Sequence, residues 1–262
     1  METLSKIGHY PFMAEPFHCD FNGRLFMGHL GNHMLNAADF HSTDRGFGMQ
    51  YLMGINRAWV LSRLAIEIEE MPKQYTKFFV DKWVESAMRY FTNRNFKVTD
   101  ADNGKVYGYG RSIWAMIDTE TRQPTDILSI HDGSINQWID KDNPCPIDKG
   151  GRVKMSDSAE YVRTIDTYYN DVDINGHINS VKYIEHILDL WPLNWYRTHC
   201  IRRFEIAYVA EAHQGDKLSF FMEIFNQDKT NEVIFYIRIT KTSSDNLEMV
   251  EVCRSKVVFV TK

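Results

Sequence analysis

The 262-residue sequence predicts an α+β protein made of two tandem units, each with one long helix covered by an antiparallel sheet. Two observations carry that reading. Each half holds a segment with apolar residues at helical spacing, followed by strand-like alternation. The landmarks of the two halves also recur in the same order at a nearly constant offset.

The first helical stripe is Leu30, Met34, Ala37, Ala38 and His41, opening at Gly28-His29; the second is Val181, Ile184, Ile187, Leu188 and Trp191, opening at Gly176-His177. Strand-like runs follow: Arg57 to Ile68 beside Thr198 to Tyr208, with Arg63 set opposite Arg203, and Phe91 to Asp100 beside Asn231 to Thr240. Each half closes on an Arg-Ser pair, Arg111-Ser112 and Arg254-Ser255. The offset is 148 residues between His29 and His177 and 143 between Arg111 and Arg254, as expected of an internal duplication. Turns such as Asp102-Asn103-Gly104 join the strands, and the one apolar face of each sheet needs a helix to cover it. Between the halves, 119–153 is rich in Asp, Gly, Pro and Asn, and reads as a connector with a short helix near Ile135 to Ile139. The expected division is 1–130, a linker at 131–153, and 154–262.

Composition narrows the function. Hydrophobic residues at 44% and charged residues at 25% suit a globular protein with a core that needs no disulfides. A net charge of −5 supplies no positive field for nucleic acid. No apolar run reaches the length of a membrane span, and the opening residues, Met1 to Gly8, do not read as a signal peptide. Four scattered cysteines without a CxxC pair point to free thiols in a reducing cytoplasm.

The chemistry concentrates in Asp173-Ile174-Asn175-Gly176-His177-Ile178-Asn179-Ser180. Asp173, Asn175 and His177 alternate, so an extended segment projects them to one side. Asn179 or Ser180 can cap the following helix, whose N-terminus favours developing negative charge. From spacing alone, a capped polar turn is the readier explanation of these residues.

The run Asp171-Val172-Asp173-Ile174-Asn175-Gly176-His177-Ile178-Asn179-Ser180-Val181-Lys182-Tyr183-Ile184 resembles the signature of the plant plastid and bacterial acyl-ACP (acyl carrier protein) thioesterases. The likeness continues through Trp59 to Arg63, Arg94-x-Phe96-x-Val98, Ser112-Ile113-Trp114, Thr119-x-Thr121-Arg122 and Arg203 to Ile206, as far as Glu211. It implies tandem hotdog domains and hydrolysis of fatty acyl-ACP to a free fatty acid. It also implies catalytic roles for Asp173, Asn175, His177 and Glu211, with no cofactor and no metal. Family members in plants carry a Cys after that Glu; here Ala212 stands there, which removes a cysteine nucleophile at this position.

Further expectations follow. Backbone N–H groups near Asn179 would hold the oxyanion. The residues ahead of Gly28-His29, Gly23 to Met27, hold no Asp-x-Asn, so the first half is expected to supply acyl-pocket walls: Met27, Leu30, Met34, Phe40, Phe47, Met49 and Trp59. Lys182, Arg197, Arg202 and Arg203 are candidates for contacting the acidic carrier, and a monomer or homodimer is expected. His29 and His33 have metal-ligand spacing, but the HExxH pattern fails and no third ligand is apparent in sequence. Gly108-Tyr109-Gly110 lacks a dinucleotide fingerprint, and no GxSxG elbow is present. An acyl-CoA thioesterase and a non-catalytic acyl-binding module remain as alternatives.

Overall fold

The computed structural model describes residues 4–156, 158–226, 231–243 and 248–262; Met1 to Thr3 of the opening segment lie outside the described residues. The chain divides into two units, Met1–Lys149 and Gly150–Lys262.

In the first unit, β1 (Gly8–Met13), β2 (Arg57–Ile68), β3 (Lys77–Ala87), β4 (Phe91–Asp100) and β5 (Val106–Asp118) pair antiparallel in the order β1-β3-β4-β5-β2. The long helix α1 (Met27–Asp44) buries Leu30, Met34, Ala37, Ala38 and His41, the stripe the spacing predicts. A short helix α2 (Met49–Met53) follows it. Strand β4 shows how the sheet is specified: Phe96 and Val98 are fully buried while Lys97 and Thr99 point the other way.

The connector is not a loose linker. Two 3-10 turns occupy Ile127–Trp138, kinked at His131, Asp132 and Gly133. They bury Ile127, Ile130 and Ile135 against Phe47, Leu52 and Met116. Further on, Cys145 and Ile147 pack with Trp83, and Arg111 donates to the Ile147 carbonyl at 2.9 Å. The polar composition hid four isoleucines spaced to complete the first core.

The second unit repeats the plan. Strands β6 (Glu160–Asp166), β7 (His199–Tyr208), β8 (Lys217–Asn226), β9 (Glu232–Thr242) and β10 (Val250–Thr261) pair in the order β6-β8-β9-β10-β7. Helix α3 (Ser180–Leu188) buries Val181, Tyr183, Ile184 and Ile187, and α4 (Leu193–Thr198) follows after Pro192. Trp191, Phe235 and Phe259 meet edge-on with centroids 4.9 Å apart from the indole, a geometry that suits aromatic quadrupoles. Strand register also settles the repeat. Arg63 pairs with Ile113 and Glu205 with Lys256, so the counterpart of Arg63 is Glu205, not Arg203. No described helix is long and apolar enough to cross a membrane.

Candidate active site

The polar turn ahead of α3 is built by its own side chains. Asp173 Oδ1 accepts from the N–H of Asn175 at 2.8 Å and of His177 at 3.3 Å, and the Gly176 N–H closes on the Asp173 carbonyl at 3.0 Å. Gly176 sits at φ +82°, a left-handed conformation open to glycine at no steric cost. A bridge between Val172 and Ile178 clamps the base of the turn. Asp173 is therefore an architect of the turn, and Asn175 is left exposed at its tip.

His177 emerges from the turn toward Glu211. Its Nε2 lies 3.4 Å from Glu211 Oε2, ion-pair range but longer than a well-formed hydrogen bond. Both side chains remain partly open to solvent, at 23% and 36% exposure, so a small reactant can reach them. Ala212 is fully buried, and its carbonyl accepts the Ile178 N–H at 2.8 Å, which ties the Glu211 segment to the base of the turn.

Asn179 caps α3: its side chain accepts from the Val181 N–H at 2.9 Å, and its own N–H donates to the Asp171 carbonyl at 2.8 Å. That backbone N–H is therefore not available to an oxyanion. Among the described residues, the first-turn donor without a partner is the N–H of Ser180.

Sequence reasoning missed three residues here. His213 sets its ring edge-on to His177 at 5.0 Å. Asp171 is buried, accepts from the Tyr168 N–H at 2.8 Å, and pairs with His186 Nε2 at 2.9 Å, so it braces the approach to the turn from α3. Its place two residues before Asp173 in an alternating Asp-x-Asp run is the signal that would have found it.

The basic candidates separate. Arg203 is buried and donates to Glu205 Oε1 at 2.6 Å, a structural ion pair rather than a docking group. Lys182 pairs along the helix with Glu185 at 2.7 Å. Arg197 lies exposed on α4, and Arg202 is partly exposed on β7. Of the cysteines, Cys253 is fully buried and its thiol is pushed up by that burial, which removes it as a nucleophile.

In the first unit, Met27, Leu30 and Met34 are buried core residues, whereas Phe40 and Met49 are exposed. Phe47 and Trp59 do line a cavity, of about 10 Å³, with His41, Arg45, Lys82 and Arg94. That is room for about one water, and Arg94 stacks over the Trp59 ring at 4.2 Å.

The first unit also carries a counterpart of this polar turn, in a different register from the Gly-His alignment. Asp20-Phe21-Asn22-Gly23-Arg24 matches Asp173-Ile174-Asn175-Gly176-His177 bond for bond. Asp20 Oδ1 accepts from the N–H of Asn22 at 2.8 Å and of Arg24 at 3.0 Å, Gly23 has φ +67°, and Cys19 bridges Leu25. Leu25 donates to the Pro72 carbonyl as Ile178 does to Ala212, so Met71 stands where Glu211 stands. Asp-x-Asn is therefore present in the first half; the His and the Glu are replaced, by Arg24 and Met71.

Five antiparallel strands per unit, a central helix, and an Asp-Asn-His turn just ahead of α3 define a tandem hotdog protein of the thioesterase class. Models describing the acyl-ACP thioesterase N-terminal and C-terminal domains match residues 11–130 and 155–253. A crystal structure of an acyl-ACP thioesterase from Bacteroides thetaiotaomicron is 55% identical, covers 97% of this chain and 98% of its own, and superposes with a TM-score of 0.85. The 12:0-ACP thioesterase from Umbellularia californica shares the fold, at 19% identity over 98% of this chain and 95% of its own and a TM-score of 0.84. A chloroplastic palmitoyl-acyl carrier protein thioesterase from Gossypium hirsutum is 26% identical over 78% of this chain and 52% of its own length. The chain thus spans about half the length of the curated plant relatives it matches. It belongs to the acyl-ACP thioesterase family.

Proposed function

We propose that the chain hydrolyses fatty acyl-ACP to a free fatty acid and holo-ACP by direct attack of water on the thioester. The single observation that carries this reading is the placement of His177 Nε2 3.4 Å from Glu211 Oε2, beside the start of α3. Glu211 and His177 hold the water beside their contact, within hydrogen-bond reach of both, and the pair takes up one proton as general base, an effect worth 10²–10⁴ in rate in comparable enzymes. Asn175, exposed at the tip of the turn, orients the water or the carbonyl. Asp173 acts through the backbone it fixes. The Ser180 N–H, aligned with the helix dipole, supports the oxyanion in place of the occupied backbone N–H of Asn179, and one such donor is worth about 3–4 kcal/mol. The pantetheine thiol, with a pKa of about 8.5 like an unperturbed Cys, leaves with little acid help. Membership of the family supports ACP as the carrier, and Arg197 and Arg202 are the basic side chains best placed to meet it. Four cysteines without a disulfide among the described residues support a reducing compartment such as the cytoplasm.

The test is free-thiol release from acyl-ACPs and matched acyl-CoAs, using wild type, His177→Ala and Glu211→Gln. Hydrolysis of acyl-ACP that falls at least about 100-fold in each variant is expected. Turnover of acyl-CoA alone would overturn the partner, and near-normal turnover in both variants would overturn the assignment of roles.

A further inference from the structure

The structure assigns a divalent transition-metal site, outside the proposed catalytic turn, to Glu15, His18 and His33 of the first unit. One ligand atom from each lies within 4.8 Å of the others, although the residues come from two separate segments. Glu15 precedes a 3-10 turn at Pro16–His18 and His18 ends it, and their Oε2 and Nδ1 atoms are 3.1 Å apart. His33 reaches the pair from the middle of α1, one turn after His29, whose ring stacks flat on His18 at 4.0 Å. A helix position thus meets a preceding turn, an arrangement the spacing of His29 and His33 alone did not disclose.

An independent observation points to a ligand. His33 is 8% exposed, and both of its ring nitrogens are buried without a hydrogen-bond partner. Phe12 and Phe78 pack around the imidazole, with centroids at 4.6 Å and 5.6 Å, and offer it nothing polar. A buried imidazole left unsatisfied carries its full desolvation cost, and coordination of one nitrogen would return part of it.

The ligand chemistry selects the ion. Two imidazoles and one carboxylate are the donor set of open zinc sites, with a fourth position left to water. Tetrahedral bonds of about 2.0–2.1 Å put ligand atoms roughly 3.4 Å apart. The Glu15–His18 pair, at 3.1 Å, is within a few tenths of an ångström of that spacing, and both side chains are some 40% exposed, so they can close on the fixed His33. Sulfur takes no part, because the Cys19 thiol donates to the Glu15 carbonyl at 3.3 Å. Bound metal would pin the 3-10 turn to α1.

Tag-free protein stripped with chelator should be titrated with Zn²⁺ against a chromogenic chelator, and separately with Co²⁺ for its visible spectrum. One Zn²⁺ per chain is expected, with a tetrahedral Co²⁺ spectrum lacking a thiolate charge-transfer band, and a raised melting temperature. His18→Asn and Glu15→Gln, both at partly exposed positions that tolerate change, should weaken binding by roughly 100-fold or more, beyond the loss of an outer-shell partner. Thiol release by His18→Asn should match wild type in the absence of metal. Failure of the wild type to bind one equivalent would overturn the site. So would wild-type affinity in both variants, or binding that is lost in His177→Ala instead.

Discussion

At the scale of the residue, the two polar turns form a natural control. Both have an Asp oxygen accepting two backbone N–H groups and a glycine at positive φ, yet one continues to His177 and the other to Arg24. Arg24 pairs with Glu70 and donates to the Met71 carbonyl at 2.8 Å, so it ties its turn to a neighbouring segment. Its contribution is therefore to stability. Arg24→Ala should lower unfolding free energy by about 1–2 kcal/mol, the range of partly exposed charge-assisted hydrogen bonds, and leave acyl-ACP hydrolysis unchanged. His177→Ala should do the reverse, since its partner is 3.4 Å away and its environment is open. Urea titrations and thiol-release rates on the same two preparations decide the matter; a loss of hydrolysis in Arg24→Ala with stability intact would place chemistry in the first turn as well.

At the scale of the element, what was legible followed the strength of local pattern. Strands β2 and β4 run over the predicted residues, although three consecutive buried positions interrupt the alternation of each, Leu64 to Ile66 and Arg94 to Phe96. Strand β3 was not singled out because Lys82, a charged residue, occupies one of its deepest positions and breaks the binary pattern. The first-half turn was aligned on the wrong landmark: matching Gly-His to Gly-His followed identity, whereas the fold repeats Asp-x-Asn-Gly and lets the next residue vary. The pairing of His177 with Glu211 joins segments 34 residues apart, so no spacing rule disclosed it; family resemblance did. Helix α3 supplies a prediction of its own. Asn179 is its cap, with the side chain on the Val181 N–H, so Asn179→Ala should cost about 0.5–2 kcal/mol, while Asn179→Asp keeps the acceptor and should cost little. Activity should fall with Asn179→Ala through loosening of the Ser180 donor and recover with Asn179→Asp. An equal loss in both variants would mean that the amide itself touches substrate.

At the scale of the whole molecule, two buried basic groups of the first unit, Lys82 and His41, contribute to the response to pH. Lys82 is fully enclosed, donates to His41 Nδ1 at 2.8 Å, and lies near Arg94 and Arg45; burial first, and then those two charges, hold its ammonium well below the usual lysine range. His41 is pushed down to about 2, by burial and then by the charge of Lys82. Both groups bind protons more weakly folded than unfolded. The unfolded chain therefore carries the excess protons, and stability rises with pH. For His41 the rise is complete once pH exceeds its unfolded value of about 6.5; for Lys82 it continues toward about 10.4. The two contributions separate in consequence: between pH 7 and 9 the rising contribution belongs to Lys82, at up to about 1.4 kcal/mol per pH unit for one proton, and the buried Cys253 thiol, pushed up by its burial, opposes it as pH nears 9. Lys82→Met, which fills the same volume without a charge, should raise stability at pH 7 and flatten the curve from pH 7 to 9 while leaving the fall below pH 6.5 in place. Four of the six tryptophans lie in this unit, so urea midpoints followed by their fluorescence report on it directly. An unchanged alkaline slope in Lys82→Met would show that the lysine keeps its proton inside the fold, held there by a buried counter-charge or water.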